Sequence, residues 1–173
     1  LKYHTLEAQQ KRLQTLAVMK ENPYFARIDF KEESEAETLY LGIASLRDLA
    51  EETIVIDWRA PIANLYYEGE IGPAFYETDT EKINVDLLLK RQFKIVDGKI
   101  VSMVDTSEVI NDDFLLEILD DASSAHMKNI VSTIQKAQNA IIRDTQSKVM
   151  LIEGIAGSGK TSALLQRIAF LLY

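Results

Sequence analysis

The sequence predicts an α+β fold that begins with an N-terminal helix and continues through an antiparallel β-rich module and a helical linker. Three observations predict it. Apolar residues recur every three or four positions near the N-terminus, and every second position across residues 24–105. Near the C-terminus, an apolar run and a glycine-rich loop precede a further stretch of helical spacing. We therefore divide the chain into residues 1–22, 23–107, 108–145 and 146–173.

Composition and charge limit the kind of protein that the chain can be. Its 173 residues are 47% hydrophobic and 27% charged, as in a soluble globular chain of one or two small domains. No apolar run approaches the ~20 residues of a membrane span and no signal-peptide pattern opens the chain, so we expect a cytoplasmic location and no membrane partner. The absence of cysteine excludes disulfides, and the net charge of −8 argues against a general DNA-binding surface.

The first segment, residues 1–22, predicts a helix that Asn22-Pro23 ends. Its apolar stripe is narrow, since it consists of Leu6, Leu13, Leu16 and Ala17. Such a stripe fits the returning end of a longer helical arm or coiled coil. It fits equally well a short amphipathic helix that packs on the neighbouring module.

Residues 23–107, called the β module below, predict strands that follow one another without intervening helices, which favours an antiparallel meander. The Asp97-Gly98 pair predicts a hairpin turn between the last two strands. The expected strands are 27–31, 38–45, 53–58, 64–67, 74–77, 87–96 and 99–105. The expected core consists of Ile54, Ile56, Trp58, Leu88, Phe93, Ile95 and Val101.

One corner of the β module has an unusual sequence, Asp57-Trp58-Arg59-Ala60-Pro61. We interpret it as an Asp–Arg pair that braces the end of a strand, with a contact surface as the alternative because Trp and Arg are enriched at interfaces. Acidic residues cluster at 32–37 and at 105–121, and we expect solvated surfaces there. Amphipathic helices are predicted around Phe114 and over about Ser123–Arg143.

The apolar run 149–152 leads into a loop that matches G-x-x-x-x-G-K-[ST] and is followed by a helical pattern. Strand, glycine loop and helix in this order predict a phosphate-binding loop, because glycines bring backbone N–H groups close to phosphate oxygens at a helix N-terminus. We therefore predict ATP and Mg²⁺ as cofactors, with Lys160 on the β- and γ-phosphates and Thr161 on the metal, the two residues with a catalytic role. The ATP-binding residues would be Gly154, Ile155, Ala156, Gly157, Ser158, Gly159, Lys160, Thr161 and Ser162.

The loop stands close to the last residue, so we expect these residues to be the first strand, P-loop and helix of a truncated RecA-like P-loop NTPase domain. No later strand supplies an acidic residue for Mg²⁺, a residue that positions water or an arginine finger. We therefore expect weak or no nucleotide binding and no hydrolysis by this chain alone.

The stretch IQKAQNAII, followed after a short gap by GIAGSGKT, resembles the opening of superfamily 1 helicases of the UvrD/Rep type. The resemblance implies that Gln138 contacts the adenine edge, to which an amide offers one donor and one acceptor group. Many such helicases have arginine directly after the P-loop threonine. Ser162 stands there instead, so the resemblance does not extend to stacking on adenine from this position.

The upstream segments NPYFARIDF, IVIDWRAPIANLYYE, GPAFYET and KRQFKIVDGKIVSMVDT resemble the N-terminal part of HelD-like factors. This resemblance covers essentially the whole chain. It implies an ATP-dependent motor that binds RNA polymerase and releases it from nucleic acid, with a helical arm that enters the polymerase's secondary channel. DNA would be contacted through domains that lie outside this sequence.

Two further hypotheses remain. A helicase IV-type motor would translocate on single-stranded DNA and use it to complete the ATPase site. Alternatively, residues 1–121 are a protein-interaction module without ATPase activity of its own.

Overall fold

The computed structural model of the chain describes residues 2–106 and 134–173. The helix predicted around Phe114 and the first part of the one predicted over Ser123–Arg143 lie outside the described residues. The elements, in chain order, are α1 (Lys2–Glu21), β1 (Ala26–Glu32), β2 (Glu35–Gly42), β3 (Leu46–Arg47), β4 (Thr53–Asp57), a 3-10 turn (Pro61–Ala63), α2 (Asn64–Tyr67), β5 (Gly72–Glu77), β6 (Lys82–Val96), β7 (Lys99–Asp105), α3 (Lys136–Arg143) and α4 (Lys160–Leu171).

The seven strands form one sheet in the order β3-β4-β2-β1-β6-β5, with β7 also paired to β6. The long strand β6 pairs with β1 along one edge, while β5 and β7 follow one another along the other edge. The prediction of a purely antiparallel module is wrong, because β2 and β4 are parallel and the sheet is mixed. After β2 the chain forms β3, which does not pair with β2. The next strand, β4, lies between them and pairs with both.

Close backbone approach at the end of β2 depends on Gly42. A Cβ atom at this position would lie 2.6 Å from the carbonyl oxygen of Pro23 and 2.8 Å from Cγ1 of Val55. The carbonyl oxygen of Gly42 in turn accepts a hydrogen bond from the Trp58 N–H at 3.0 Å. Glycine therefore lets β4 lie against β2 and sets where the corner after β4 begins.

Residues 64–67 form the short helix α2, so the strand predicted there is wrong. Pro61 starts a 3-10 turn, where its fixed φ is favourable and its missing N–H costs no hydrogen bond. Leu65, Tyr66 and Tyr67 are all buried. Three consecutive buried side chains suit a helical turn packed into the core, whereas a strand with one solvated face would alternate.

The core lies between one face of the sheet and a cover made by α2, the 3-10 turn before it, Ile134, and Ile142 of α3. Ala26, Ile28 and Phe30 of β1 form its centre, with no exposed surface. Ile134 and Ile142 join the same cluster, so residues 134–143 pack directly on the β module.

Three residues of the predicted core, Ile54, Leu88 and Val101, are instead exposed at 45, 43 and 57% of their surface. Each is the residue skipped at a register shift: Ile54 between β3 and β4, Leu88 between β1 and β6, and Val101 between β6 and β7. An extra residue in one strand breaks the alternation of side chains between the two faces. A prediction that assumes strict alternation across the extra residue therefore places side chains on the wrong face. Of the remaining predicted residues, Trp58 and Ile95 are buried, as expected, and Ile56 and Phe93 are half-buried.

The predicted N-terminal helix is present, but it contacts the sheet mainly through its last turn. Met19 is buried, whereas Leu6 and Leu13 are 56 and 66% exposed. The predicted Asp97-Gly98 hairpin turn is also present, with positive φ at both residues, and the Gly98 N–H donates to the Glu21 carbonyl at 2.8 Å. The hairpin therefore holds the end of α1.

Among the described helices, none has the length and apolar character that crossing a bilayer requires.

The strand predicted at residues 149–152 is not formed, and this corrects the expected strand, loop and helix. Val149 and Leu151 are 91 and 83% exposed. Within the described residues no strand lies beside this segment, and an isolated strand has no partner for its backbone hydrogen bonds. The sheet of a P-loop NTPase domain is therefore not present in the described part of the chain.

The bulge at Leu88 can be tested by comparing two adjacent leucines. Leu87→Ala removes a side chain with no exposed surface and should lower the free energy of unfolding by about 2–5 kcal/mol. Leu88→Ala should change it by less than about 1 kcal/mol, because Leu88 lies on the exposed face. Urea denaturation of both variants measures the difference, and equal losses would contradict the register.

Candidate functional site

The glycine loop from Gly154 to Gly159 leads into the first turn of α4. Gly157 and Gly159 have φ of 83° and 79°, in the left-handed region that glycine adopts without strain. Gly159 is the N-cap of α4, and its carbonyl oxygen accepts a hydrogen bond from the Ala163 N–H at 2.9 Å. Residues 154–158 are exposed. The loop thus presents its backbone to solvent at the N-terminus of a 12-residue helix.

Lys160 curls over this loop. Its Nζ donates to the carbonyl oxygens of Gly154 and Ile155, both at 2.7 Å. Thr161 is exposed in the first turn of α4, beside the half-buried Ser162. A cation, a glycine backbone and a helix N-terminus together can hold an anionic group such as a phosphate, and the Thr161 hydroxyl could reach a metal ion on it. The residues therefore fit the predicted ATP and Mg²⁺, although the strand that was expected to hold the loop is not formed.

Gln138 lies against the loop, although 20 residues separate it from Ser158. Its Oε1 accepts from the Gln135 N–H at 3.2 Å, and its Nε2 donates to the Ser158 carbonyl at 3.4 Å. A Cβ atom at Gly159 would lie 2.6 Å from the same Nε2. The tertiary structure therefore brings together the glutamine and the loop, which the sequence analysis paired only by resemblance.

The helix that carries Gln138 is shorter than expected. It begins at Lys136, and Gln135 before it is extended, with ψ of 158°. The predicted helix over about Ser123–Arg143 is therefore wrong at residues 134 and 135. The Gln138 side chain bonds the N–H of Gln135, which satisfies one of the backbone groups that a helix start leaves unpaired.

The buried residue beside it, Asn139, was not predicted. Its Nδ2 donates to Oδ1 of Asn64 and to Oε1 of Glu68, both at 2.8 Å, and its Oδ1 accepts from Nε of Arg143 at 3.0 Å. It is 1% exposed. A signal was available, because Asn139 precedes Ile142 by three positions and so lies on the apolar face of the helix, where a polar residue needs buried partners.

Arg143 joins α3 to the corner after β4 and was also not predicted. Burial lowers the pKa of its guanidinium, which nevertheless stays charged. The guanidinium lies over the rings of Tyr67 and Phe170, at 5.5 and 5.2 Å from their centroids. Its two terminal nitrogens donate to three successive carbonyl oxygens, those of Trp58 at 2.6 Å and of Arg59 and Ala60 at 3.4 Å.

The corner itself is braced by the predicted pair of Asp57 and Arg59. Nε of Arg59 donates to Oδ1 of Asp57 at 2.8 Å, and these hydrogen bonds raise the pKa of the guanidinium although its burial opposes the shift. Asp57 is 2% exposed. Arg59 also donates to the Ala169 carbonyl at 3.3 Å and lies over the Tyr173 ring. The bracing interpretation is confirmed, and the corner is in addition a contact surface for α4.

Comparison with known protein families identifies the upstream part of the chain. Residues 2–123 match the family model described as the N-terminal domain of DNA helicase IV HelD. The chain belongs to this family. No curated protein matches the chain. The match covers α1 and the β module, including the Asp57–Arg59 corner, whereas Gln138 and the loop at 154–161 lie beyond it.

The Arg143 contacts predict how α3 is held. Arg143→Gln removes a charged donor from three carbonyl oxygens, and hydrogen bonds of this kind contribute roughly 1.5–3 kcal/mol each. We expect the amides of α3 to exchange with deuterium at least about tenfold faster, because local opening becomes easier. Hydrogen-exchange mass spectrometry measures this rate.

Arg91→Gln is the matched control for this prediction. It removes a guanidinium that pairs with Asp105 in the β module, away from α3, so the exchange of α3 should not change. An equal acceleration of α3 in both variants would show general loosening instead of a local role for Arg143.

Proposed function

We propose that the full-length protein is an ATP-dependent superfamily 1 motor that binds RNA polymerase and releases it from nucleic acid. In this proposal the glycine loop and Lys160 bind the phosphates of ATP, Thr161 binds Mg²⁺ and Gln138 contacts the adenine. The observation that carries the nucleotide part is the contact between Gln138 and the loop, since the two come from distant positions in the chain. Membership of the HelD family supports a helicase-type motor.

The hydrogen bonds of Gln138 support its proposed role. An amide oxygen has two lone pairs and an amide nitrogen two hydrogens. Gln135 uses one lone pair and Ser158 one hydrogen, which orients the amide and leaves one acceptor and one donor position. Adenine offers a donor at N6 beside an acceptor at N7, which an amide can match. Guanine has an acceptor in place of N6–H, so the proposal includes a preference for ATP over GTP.

On nucleotide binding, the Lys160 ammonium would exchange its hydrogen-bond acceptors. Its ammonium is held by two loop carbonyls and would transfer to the phosphate oxygens, which are stronger acceptors because they are charged. The Mg²⁺ ion supplies charge neutralisation at the phosphates when it is bound. The residues that activate water would come from parts of the motor outside this chain.

A second candidate is a helicase of the helicase IV type that translocates on single-stranded DNA. The family to which the chain belongs is described as DNA helicase IV, which favours this candidate. A candidate of another class is a protein-interaction module. The apolar residues of α1 that lie in solvent, Leu6 and Leu13, favour a partner for this helix.

We expect weak or no nucleotide binding by the 173-residue chain, because the segment before the loop forms no strand and the loop lacks the support of a sheet. Isothermal titration with ATP and Mg²⁺ measures the affinity. A sub-micromolar dissociation constant would show that the loop is already organised without the rest of the motor.

Lys160→Ala in the full-length protein should reduce ATP turnover by at least about a hundredfold, since one charged donor at the transferring phosphate is worth several kcal/mol. Polymerase binding should be retained, because the hydrogen bonds of the Lys160 side chain are made within the glycine loop. Lys148→Ala is the control: it removes an exposed lysine just before the loop and should leave turnover unchanged. Normal turnover by Lys160→Ala would exclude the proposed site.

Steady-state ATPase of the full-length protein distinguishes the three candidates. Stimulation by RNA polymerase but little by single-stranded DNA supports the recycling motor. Strong stimulation by DNA alone supports the helicase IV type. Tight polymerase binding that no nucleotide alters, without ATPase under any condition, supports the interaction module.

A further inference from the structure

We propose that the β module positions the adenine-contacting glutamine, and that Asn139 and Arg143 are the positioning residues through which it does so. The inference rests on the proposed function, in which Gln138 contacts adenine. It adds that a part of the chain outside the loop sets the base selectivity of the motor. Four features of the structure support it.

The first feature is the length of α3. It has eight residues, and isolated helices shorter than about 12–15 residues are marginal in water. The residues on either side, Gln135 and Asp144, are extended. The place of α3 is therefore determined by what it packs on, and Ile142 packs into the core of the β module.

The second feature is that two neighbouring side chains, Gln138 and Asn139, point in different directions. Successive residues of an α-helix point about 100° apart around its axis. Gln138 contacts the loop at Ser158, and Asn139 contacts Asn64 and Glu68 of the β module. A single helical turn thus joins the two contacts, and a displacement of Asn139 moves Gln138 with it.

The third feature is the hydrogen bonding of the Asn139 amide. Both hydrogens of Nδ2 have acceptors, and Oδ1 accepts from Arg143. A flipped amide would place Nδ2 against another donor, so only one orientation satisfies the three partners. Arg143 then ties the last turn of α3 to three carbonyls of the corner. The middle of the short helix and its last turn are thereby held by the β module.

The fourth feature is the small space at the loop. The Gln138 Nε2 occupies the place that a side chain at position 159 would need, since a Cβ there would be 2.6 Å away. A shift of α3 toward the loop would therefore meet its backbone, and a shift away would break the bond to Ser158. We expect loss of the module contacts to weaken adenine recognition while leaving the phosphate contacts of Lys160 in place.

The test compares ATP with GTP in the full-length protein. Glu68→Ala removes one acceptor of Asn139 from the module side, at a half-buried position that should tolerate the change. We expect a rise of about 3- to 10-fold in KM for ATP, as for loss of one hydrogen bond, with kcat unchanged and the ATP-to-GTP preference lowered by the same factor. Asn139→Ala should act in the same direction and at least as strongly.

Two controls separate positioning from general damage. Glu68→Gln keeps an acceptor oxygen and should restore the wild-type preference. Arg91→Lys weakens an ion pair elsewhere in the sheet and should change neither KM nor preference. Thermal unfolding of each variant checks that it is folded. If Asn139→Ala does not fold, Glu68→Ala alone tests the inference.

A double-mutant comparison decides whether the module acts through Gln138. In a Gln138→Ala background, Glu68→Ala should have no further effect on the preference, because the group it positions is absent. An additive effect, an unchanged preference or an equal loss for both nucleotides would overturn the inference.

The two proposals fail differently. If Lys160→Ala abolishes turnover and Gln138→Ala lowers the ATP-to-GTP preference but Glu68→Ala does not, the proposed nucleotide site stands and only the positioning role is wrong. If Lys160→Ala retains normal turnover, the proposed nucleotide site itself is wrong.

Discussion

The arrangement of the chain depends on the three backbone carbonyls of Trp58, Arg59 and Ala60. The chain leaves the sheet at this corner, so these carbonyls have no neighbouring strand to bond them, and only that of Ala60 accepts a backbone hydrogen bond, from the Ala63 N–H at 3.0 Å. A buried carbonyl without a donor is costly. Arg143 supplies the donors from a distant helix. Because its guanidinium is always charged and forked, one side chain reaches all three oxygens, which a lysine could not do with the same geometry.

The same corner explains why the β module and the C-terminal segments form one packed unit. Asp57 is buried and neutralised by Arg59, and Arg59 bonds the Ala169 carbonyl of α4. Arg143 stacks on Phe170 of the same helix, and Arg167 of α4 bonds the Ile141 carbonyl of α3 at 2.7 Å. Arginines therefore supply hydrogen bonds among the corner, α3 and α4. The helix that follows the glycine loop is held by these polar contacts and by the packing of Ala169 and Phe170 on the core, even though the strand before the loop is not formed.

Opposite to this polar junction, the sheet carries a different set of interactions. Arg27 pairs with Asp29 at 2.7 Å and lies opposite Arg91, which pairs with Asp105. The half-buried rings of Tyr24, Tyr40 and Phe93 lie close together, with centroids 4.6 to 6.5 Å apart. Hydrogen bonds from Arg91 hold the pKa of Asp105 below its ordinary value. Charge pairs and aromatic contacts therefore stabilise this face of the sheet.

The sequence by itself determined the features that depend on neighbouring residues. The N-terminal helix, most strands, the Asp97-Gly98 turn and the Asp57–Arg59 pair all follow from local spacing or from turn residues. Only the tertiary structure decided the parallel pairing of β4, the helical turn at 64–67 and the faces of Ile54, Leu88 and Val101. A register shift or a crossover depends on which strand lies alongside. The periodicity of residues along the sequence carries no information about that neighbour. The β-module partners of Asn139 and Arg143 were decided in the same way, since they lie more than 70 positions away in sequence and meet only when the corner packs on α3.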